Sequence, residues 1–393
     1  MKDEIRLAII SNTITPYRVN LHKHLSQSIP NILLHSVFTH GTADFKWNVE
    51  LPDSIHPTFI GRSSHNASEI GVKFFAREWR KGAKIIKYIQ SQNINFVIVN
   101  GYAYASYLRV VNYCKKNSIP IFIRSDSNIL GDRDLSRFKS WLKKIFVGQI
   151  LRRCDGVMSA GRMGRKYFQK YGVVESKIFN VPFLPDWQML QRVDSARLDS
   201  FFIKFGLNAN RKYIGYSGRL IDLKRVDLLI DAFCRVAKLY EKYDLLIAGD
   251  GELKKSLYDR IPDDFKHRVK WLGFLDSEHM PLFYASIQLI VLPSSYEPWA
   301  LVVQEAFASG TPLLCSDSVG AAYDYVEEGR NGELFSSGDL TELVAVLEKM
   351  IQNLNQTYQK NAESMAVHFA ERCQPEVGLK QAINYMSGAI DVN

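Results

Sequence analysis

The chain has 393 residues, long for one domain and ample for two, and an apolar content of 46% supplies two ordinary cores. Its five cysteines (Cys114, Cys154, Cys234, Cys315 and Cys373) are scattered and include no CxxC pair. This argues against a disulfide framework or a zinc site and for reduced thiols in a cytoplasmic protein. The opening MKDEIRLAII runs straight into a strand instead of a leader, and no window reaches the roughly 20 apolar residues of a membrane span, so a soluble or peripheral protein is expected.

The first half opens with a predicted strand at Ile5–Ser11, a loop through Asn12–Pro16 and a helix from about Tyr17 to Gln27. Apolar runs at Ile32–Phe38, Phe96–Val99, Pro120–Ile123, Gly156–Ser159 and Ile178–Val181 predict further strands, with helical patterns between most of them. Two helical stretches here concentrate the net charge of +9. Lys73 to Lys87 holds six basic residues against one Glu, interleaved with Phe74, Phe75, Trp79 and Ile85. Arg137 to Arg153 holds six basic residues and no acid, with Phe138, Trp141, Leu142, Ile145, Phe146 and Ile150 at helical intervals. Basic, aromatic-bearing amphipathic helices suit an anionic membrane surface. Solvated faces of packed helices are the plain alternative, and for nucleic acid there is charge and nothing else.

From 182 to 211 the pattern lapses: Pro182 and Pro185 are followed by a polar, charged stretch ending at Arg211, read as a hinge between domains 1–190 and 205–374. The second half then restarts with a strand at Lys212–Tyr216, a loop at Ser217–Leu223 and a helix from Lys224 to Tyr240 with Val226, Leu229, Ile230 and Phe233 on one face. Strands follow at Asp244–Ala248, Val269–Leu272, Ile287–Leu292, Pro312–Cys315 and Glu333–Phe335, and the tail from Thr341 is helical. The expected fold is α/β: two doubly wound Rossmann-like parallel sheets with a cleft between them, binding ligands at the carboxyl ends of their strands.

The most informative stretch is Ser294–Gly310, SSYEPWALVVQEAFASG. Pro293 stops the preceding strand, Pro298 suits a first helical position, and Gly310 ends the helix. Glu297 and Glu305 bracket a helix N-terminus that favours an anion, and eight helical residues rise roughly 12 Å, comparable to a nucleotide sugar. A solvated Glu297 and a surface Glu305 are the alternative. After the strand at 212–216, Gly218 permits close backbone approach, and Arg219 and Lys224 are placed to neutralise a diphosphate unless they are merely exposed loop cations. The Gly-Asp-Gly turn in LLIAGDGE is not GxGxxG and has a purely geometric explanation open to it. Gly273 and Phe274 in WLGFLD are candidates to cradle a base, or Phe274 is core. Gly320 and the turn EEGRNG (Glu327–Gly332) are expected to close the far side of the site.

In this order, SGRLIDLKRVDLLIDAF, IAGDGEL, WLGFLD, EPWALVVQEAFASGTPLL and GRNGELF resemble the retaining GT-B glycosyltransferases of family 4 (glycosyl transferases group 1) over nearly all of 212–340. The resemblance implies that Arg219 and Lys224 hold the donor diphosphate. It gives Glu297 the sugar hydroxyls, the N–H groups after Pro298 (Trp299, Ala300, Leu301) a phosphate, Glu305 the ribose, and Gly273–Phe274 the base. It further implies a C-terminal helix, about 375–393, crossing back onto the first domain, and no metal cofactor. The first half matches only in outline. Thr13-Ile14-Thr15-Pro16-Tyr17-Arg18 replaces a glycine pair, and Asn100-Gly101-Tyr102 and Asp126 stand where the family often has histidines. Asp126 is a candidate catalytic residue with Arg219, Lys224 and Glu297, an ion pair with Arg124 being the alternative. Thr15, Tyr17, Arg18 and Tyr102 are candidate acceptor contacts.

The expected activity is transfer of a hexose from a nucleoside-diphosphate sugar, UDP before GDP, to a glycan or lipid-linked acceptor in polysaccharide or glycoconjugate synthesis. The configuration would be retained, and the protein would sit peripherally at the cytoplasmic face of a membrane. An inactive relative that only binds nucleotide sugar or lipid, or an epimerase or phosphorylase of the same architecture, are the competing readings.

Overall fold

In the computed structural model, which describes residues 4–40, 49–61 and 74–388, the strand–helix alternation builds two parallel sheets. The chain divides into two compact units, Met1–Pro185 with Cys373–Asn393, and Asp186–Arg372.

Among the described residues the first unit carries seven strands: β1 (Ile5–Ser11), β2 (Ile32–Phe38), β3 (Thr58–Phe59), β4 (Phe96–Asn100), β5 (Ile121–Ser125), β6 (Gly156–Ser159) and β7 (Ile178–Asn180). Their order is β3-β2-β1-β4-β5-β6-β7, every pair parallel. The strands are near-continuous apolar runs because both faces are covered. Successive connections run one way from β1 to β3 and the other way from β4 to β7. Right-handed crossovers therefore put helix Pro16–Ser28 on one face and helices Phe75–Ser91, Ala105–Lys116, Arg137–Leu151 and Gly161–Lys170 on the other. One core cluster joins that second set: Ile85 and Ile89, Tyr107 and Val110, Val147 and Leu151, and Tyr167 and Phe168 pack with Val97, Val99, Ile121 and Ile123. Helix Pro375–Met386 lies along β7, and His24 meets Glu376 at 2.8 Å.

The second unit has six strands: β8 (Lys212–Ser217), β9 (Tyr243–Ala248), β10 (Val269–Gly273), β11 (Leu289–Leu292), β12 (Leu313–Ser316) and β13 (Gly332–Phe335), ordered β10-β9-β8-β11-β12-β13. Val226, Leu229, Ile230 and Phe233 of helix Val226–Val236 are each at most 2% exposed, and they pack on Ile214, Leu245 and Val291. The C-terminal helix begins at Leu340, passes through a π-turn at Leu354–Tyr358 and continues as Gln359–Ala366. At the π-turn the Tyr358 hydroxyl donates to Glu333, which also receives Lys349 Nζ at 2.7 Å.

Three sequence expectations change. The stretch 182–211 contains the division between the two units, after Pro185, but it is not without regular structure: helices Trp187–Leu190 and Ser195–Phe205 lie in it and belong to the second unit. There Gln191 donates to the carbonyls of Ala308 and Ala366 at 3.2 and 2.9 Å. Lys224 does not start the next helix. It closes a 3-10 turn, Asp222–Lys224, and Arg225 at φ 50° separates that turn from Val226. Pro298 is not a first helical residue either, because the helix starts at Leu301 after Ala300 at φ 73°.

Gly378 lets helix Pro375–Met386 approach β7: a Cβ there would lie 1.9 Å from the Asn180 carbonyl oxygen. Gly378→Ala should therefore destabilise the protein by about 1–3 kcal/mol through overpacking. An unchanged urea midpoint would show that the helix is not seated this closely.

Candidate functional site

In an open parallel sheet, ligands bind where the strand order reverses, because the loops on either side diverge and leave a crevice at the carboxyl edge. In the second sheet that point lies between β8 and β11. The chain leaves β8 through Ser217-Gly218-Arg219 and leaves β11 through Pro293–Ala300, the two segments singled out from the sequence. They are joined across the crevice. Ser295 N–H donates to the Leu223 carbonyl at 2.9 Å, and Lys224 Nζ forms an ion pair with Glu297. Both side chains are largely shielded, at 16% and 14% exposure, so neither is a solvated surface charge. Burial and the neighbouring Arg219 guanidinium pull the Lys224 ammonium down to about 8. The Glu297 carboxylate works against that shift. Arg219 itself is exposed beside the pair.

The loop after β11 is tied on its other side to the loop after β12. Glu297 N–H donates to Ser318 at 3.0 Å, Gly320 N–H to Glu297 at 3.1 Å, and Ala321 N–H to Trp299 at 2.8 Å. Glu297 is thus held by backbone on one side and by Lys224 on the other. Ala300, in a left-handed conformation that a non-glycine residue adopts at a strain, turns this strap into helix Leu301–Ala308. The first N–H groups of that helix have no intrahelical acceptor. Trp299 is 4% exposed, its Nε1 donating to Gln304 at 2.7 Å and its ring edge-on to Tyr325. Its side chain supports the strap, which leaves only its backbone for a ligand. Glu305 is half-buried and not a fully solvated surface residue. Burial pushes its carboxyl up to about 7, against the pull of a 2.9 Å hydrogen bond from Tyr284.

The Gly-Asp-Gly turn is explained by packing. A Cβ on Gly249 would lie 1.9 Å from the Gly218 carbonyl oxygen, and one on Gly251 2.4 Å from that of Leu220. The two turns rest on each other, with Gly218 N–H donating to Ala248 and Leu220 N–H to Asp250, both at 3.0 Å. Gly273 adopts φ 69°, and Phe274 beside it is 43% exposed, so Phe274 is not core. Near this edge a cavity of about 460 Å³ is lined by Asp250, Lys254, Tyr258 and Trp271 among others. Trp271 Nε1 is buried without a hydrogen-bond partner. The turn at Glu327–Gly332 is a structural clamp: Glu327 pairs with both Arg330 and Arg372.

In the first sheet the order reverses between β1 and β4. Arg18 Nη1 donates to Asn12 Oδ1 at 2.6 Å, to the Thr13 carbonyl at 2.8 Å and to Thr13 Oγ1 at 2.9 Å, so it shapes its own loop. Tyr17 packs edge-on against Phe183. Thr15 Oγ1 is buried with no partner. Tyr102 shares a 2.5 Å hydrogen bond with Tyr167 and reaches Ser127 at 3.4 Å. Asp126 is exposed at the end of β5. Arg124 is not spent on Asp126: it donates to the carbonyls of Val181 and Pro182 at 3.1 and 3.2 Å and lies over the Phe183 ring.

Two further groups at this edge are not among the candidate site residues read from the sequence, although Asn100 stands at a position where the family often has a histidine. Asn100, the last residue of β4, donates to Ser11 at 2.6 Å while its Oδ1 is buried without a partner. Behind it, His40, Glu78, Lys81 and Ser106 form a buried network. Glu78 accepts from Lys81 at 2.6 Å and from Ser106 at 2.7 Å, and Lys81 Nζ lies 3.0 Å from His40 Nε2. Burial opposes the charge on Glu78, yet hydrogen bonds from His40, Lys81 and Ser106 hold its carboxyl down at about 2. Lys81 is therefore not part of a solvated basic face, and Lys73 lies outside the described residues. The signal for His40 was its place directly after a strand exit, FTHG.

Residues 199–365 match the family model Glycosyl transferases group 1. Among curated relatives, the lipopolysaccharide core biosynthesis glycosyltransferase LpsE of Rhizobium meliloti is 29% identical over 160 residues, covering 40% of this chain and 43% of that protein. The GDP-mannose-dependent alpha-mannosyltransferase of Corynebacterium glutamicum is 32% identical over 141 residues, 36% of this chain and 32% of that protein. The alignments thus span less than half the length of these relatives. Among solved structures, sucrose-phosphate synthase from Thermosynechococcus elongatus superposes with a TM-score of 0.78 at 16% identity, covering 98% of this chain and all of that one. HepE of Anabaena in complex with UDP-glucose superposes with a TM-score of 0.73 at 18% identity, over 98% and 100%. With its two parallel sheets the chain has the GT-B fold of these structures, and its residues 199–365, which carry the motifs gathered at the β8–β11 crevice, match the glycosyl transferases group 1 model.

Proposed function

We propose that the protein is a retaining hexosyltransferase that takes its sugar from a nucleoside-diphosphate donor bound at the β8–β11 crevice. The observation that carries this reading is the shielded Lys224–Glu297 pair beside Arg219 at the point where the strand order reverses. A diphosphate at this point takes over Lys224, and Glu297 turns to the sugar hydroxyls as their acceptor. Arg219 supplies a second cation, and the first N–H groups of helix Leu301–Ala308 a third source of positive potential. These charges stabilise the departing diphosphate as the bond from the anomeric carbon to the phosphate oxygen breaks. The acceptor oxygen bonds to that carbon from the same face and its proton passes to the leaving phosphate, giving glycoside and nucleoside diphosphate. Glu305 accepts from the ribose hydroxyls. The base goes to the β9–β10 edge, where Phe274 is exposed and Trp271 Nε1 is an unused buried donor. UDP is favoured over GDP. HepE, bound to UDP-glucose, and the GDP-mannose-dependent mannosyltransferase represent the two donor types among the similar proteins.

The acceptor, a glycan or lipid-linked glycan of polysaccharide or glycoconjugate synthesis, is assigned to the first unit near Thr15, Tyr17, Arg18, Tyr102 and the exposed Asp126. The unpartnered Thr15 Oγ1 and Asn100 Oδ1 support that assignment. Peripheral contact with an anionic membrane on the cytoplasmic side, through the basic stretches 73–87 and 137–153, completes the reading.

Calorimetry with UDP, GDP and ADP, followed by transfer assays with the matching sugars, tests the donor site. Arg219→Ala and Lys224→Ala should each lose nucleotide binding and reduce transfer by at least about a hundredfold. Normal turnover in both would refute the assignment. Glu297→Gln should behave oppositely on binding: with its competitor for Lys224 neutralised, UDP binds at least as tightly as in the wild type, yet transfer is poor. Asp126→Asn should slow transfer while nucleotide affinity stays constant.

The Glu305 carboxyl, raised to about 7, gains its charge and becomes an acceptor at both oxygens as pH rises through that value, and Lys224, lowered to about 8, loses its charge above it. UDP-glucose affinity should therefore peak between these two values. Glu305→Gln should abolish the acid limb of that profile and leave the alkaline one.

A further inference from the structure

Helix Arg137–Leu151 packs against the first sheet through its last turns, where Val147, Gly148 and Leu151 are buried. Its earlier turns carry Phe138, Trp141, Leu142, Ile145 and Phe146, which are 67%, 56%, 44%, 37% and 73% exposed. At these spacings the five side chains form one stripe, and on a surface helix of a globular protein such a stripe ordinarily faces the core. Here it faces water. The inward position at that level is taken by Lys143, whose Nζ reaches Asp132 at 2.6 Å and lies 5.1 and 5.5 Å from the ring centres of Tyr167 and Tyr171. Asp132 is buried and also accepts from Lys170 at 2.9 Å and Tyr171 at 2.8 Å. A carboxylate held by three donors is a fixed post. By drawing Lys143 inward it fixes the rotation of the helix and turns the apolar stripe out.

The stripe is flanked by the exposed cations Arg137, Lys139 and Lys144, with Arg152 and Arg153 just beyond the helix, and no acid interrupts 137–153. On the same face of the sheet, Phe75 and Trp79 stack at 5.6 Å and are 51% and 38% exposed. Helices that follow parallel strands begin at the strands' carboxyl edge. Phe75, Trp79, Phe138, Trp141 and Leu142 occupy the first two turns of their helices and so stand at that edge, where Thr15, Arg18 and Tyr102 also stand. Rings and aliphatic chains flanked along the helix by cations complement an anionic lipid interface, where rings enter the headgroup layer and cations meet phosphates.

We propose that the outward stripe of helix Arg137–Leu151 seats this protein on an anionic bilayer with the carboxyl edge of the seven-stranded sheet toward the lipid, and that its sugar acceptor is consequently lipid-linked and not a soluble glycan. The second half rests on the transferase reading above; the first does not.

The test sediments the full-length protein with vesicles of phosphatidylcholine alone or with about one quarter phosphatidylglycerol. The wild type is expected on the anionic vesicles only, released by salt. The triple variant Phe138→Ser/Trp141→Ser/Phe146→Ser should partition about tenfold less while binding UDP-glucose normally, since all three side chains are exposed. Equal partition of variant and wild type, or wild type remaining in the supernatant, overturns the docking surface. So does a wild-type dimer that the triple substitution dissociates without any vesicle binding, which would make the stripe a contact between copies. For the acceptor, radiolabelled UDP-glucose and GDP-mannose are supplied with membranes of the source cells. Label in the organic phase, reduced in the triple variant, is expected. Label on water-soluble glycans at equal rates overturns the acceptor half, as does failure of the wild type to bind either donor, while the vesicle result still judges the docking surface.

Discussion

The ion pair between Lys224 and Glu297 is the constraint around which the second unit is arranged. Two loops leaving adjacent strands of a parallel sheet at its reversal point tend to diverge. Here they are drawn together by one shielded pair of opposite charges and by the Ser295–Leu223 hydrogen bond. Such a pair contributes little net stability, because desolvation offsets most of the attraction. Its consequence is positional: it holds a cation and a carboxylate side by side in a shielded crevice, where, on the reading proposed above, the cation exchanges the carboxylate for a diphosphate and the carboxylate turns to sugar hydroxyls. The neighbouring backbone is arranged to permit this. Glu297 is gripped by its own N–H and C=O between Ser318 and Gly320, so the side chain can change partners without the loop moving.

Much of this was legible in the sequence, for identifiable reasons. Buried parallel strands are short apolar runs between turn residues, and the runs at Ile5–Ser11, Ile32–Phe38 and Gly156–Ser159 coincide with strands to the residue. Loop cations and carboxylates directly after such runs fall at the carboxyl edge by topology alone, which is why Arg219, Lys224 and Glu297 were recognisable as candidates. The stretch 182–211 misled because its prolines and charges outweighed two weaker signals. Asp194 caps helix Ser195–Phe205 by accepting from Ala196, and Gly206 closes it at φ 59°. Pro298 and Lys224 were misplaced for a shared reason: each precedes a residue, Ala300 or Arg225, in a left-handed conformation, and nothing in those side chains announces it.

What composition could not reveal is which charged residues are spent internally. Lys81 and Lys143 read as two more cations on basic helices. The fold buries Lys81 with Glu78, the one acid of its own stretch, and with His40, and draws Lys143 to Asp132, a carboxylate outside the stretch 137–153; a charge count shows neither the burial nor the second pairing. Removing these two from the tally leaves the surface charge smaller and the exposed aromatic side chains more conspicuous, so the character of that face shifts from basic toward amphipathic.

The π-turn at Leu354–Tyr358 has its own consequence for how one long helix serves two neighbours. A widened turn admits one residue more than the α-helical repeat, which advances everything after it by about 100° around the axis. Before the turn, Leu343, Leu347 and Met350 face the core shared with helix Val226–Val236; after it, Ala362 and Met365 face helix Leu301–Ala308, where a Cβ on Gly310 would meet the Glu363 backbone at 3.1 Å. The helix that carries Glu305 is thereby braced from behind by a segment whose angular phase is set by a single extra residue, and a deletion there would swing the brace away while every strand remained in place.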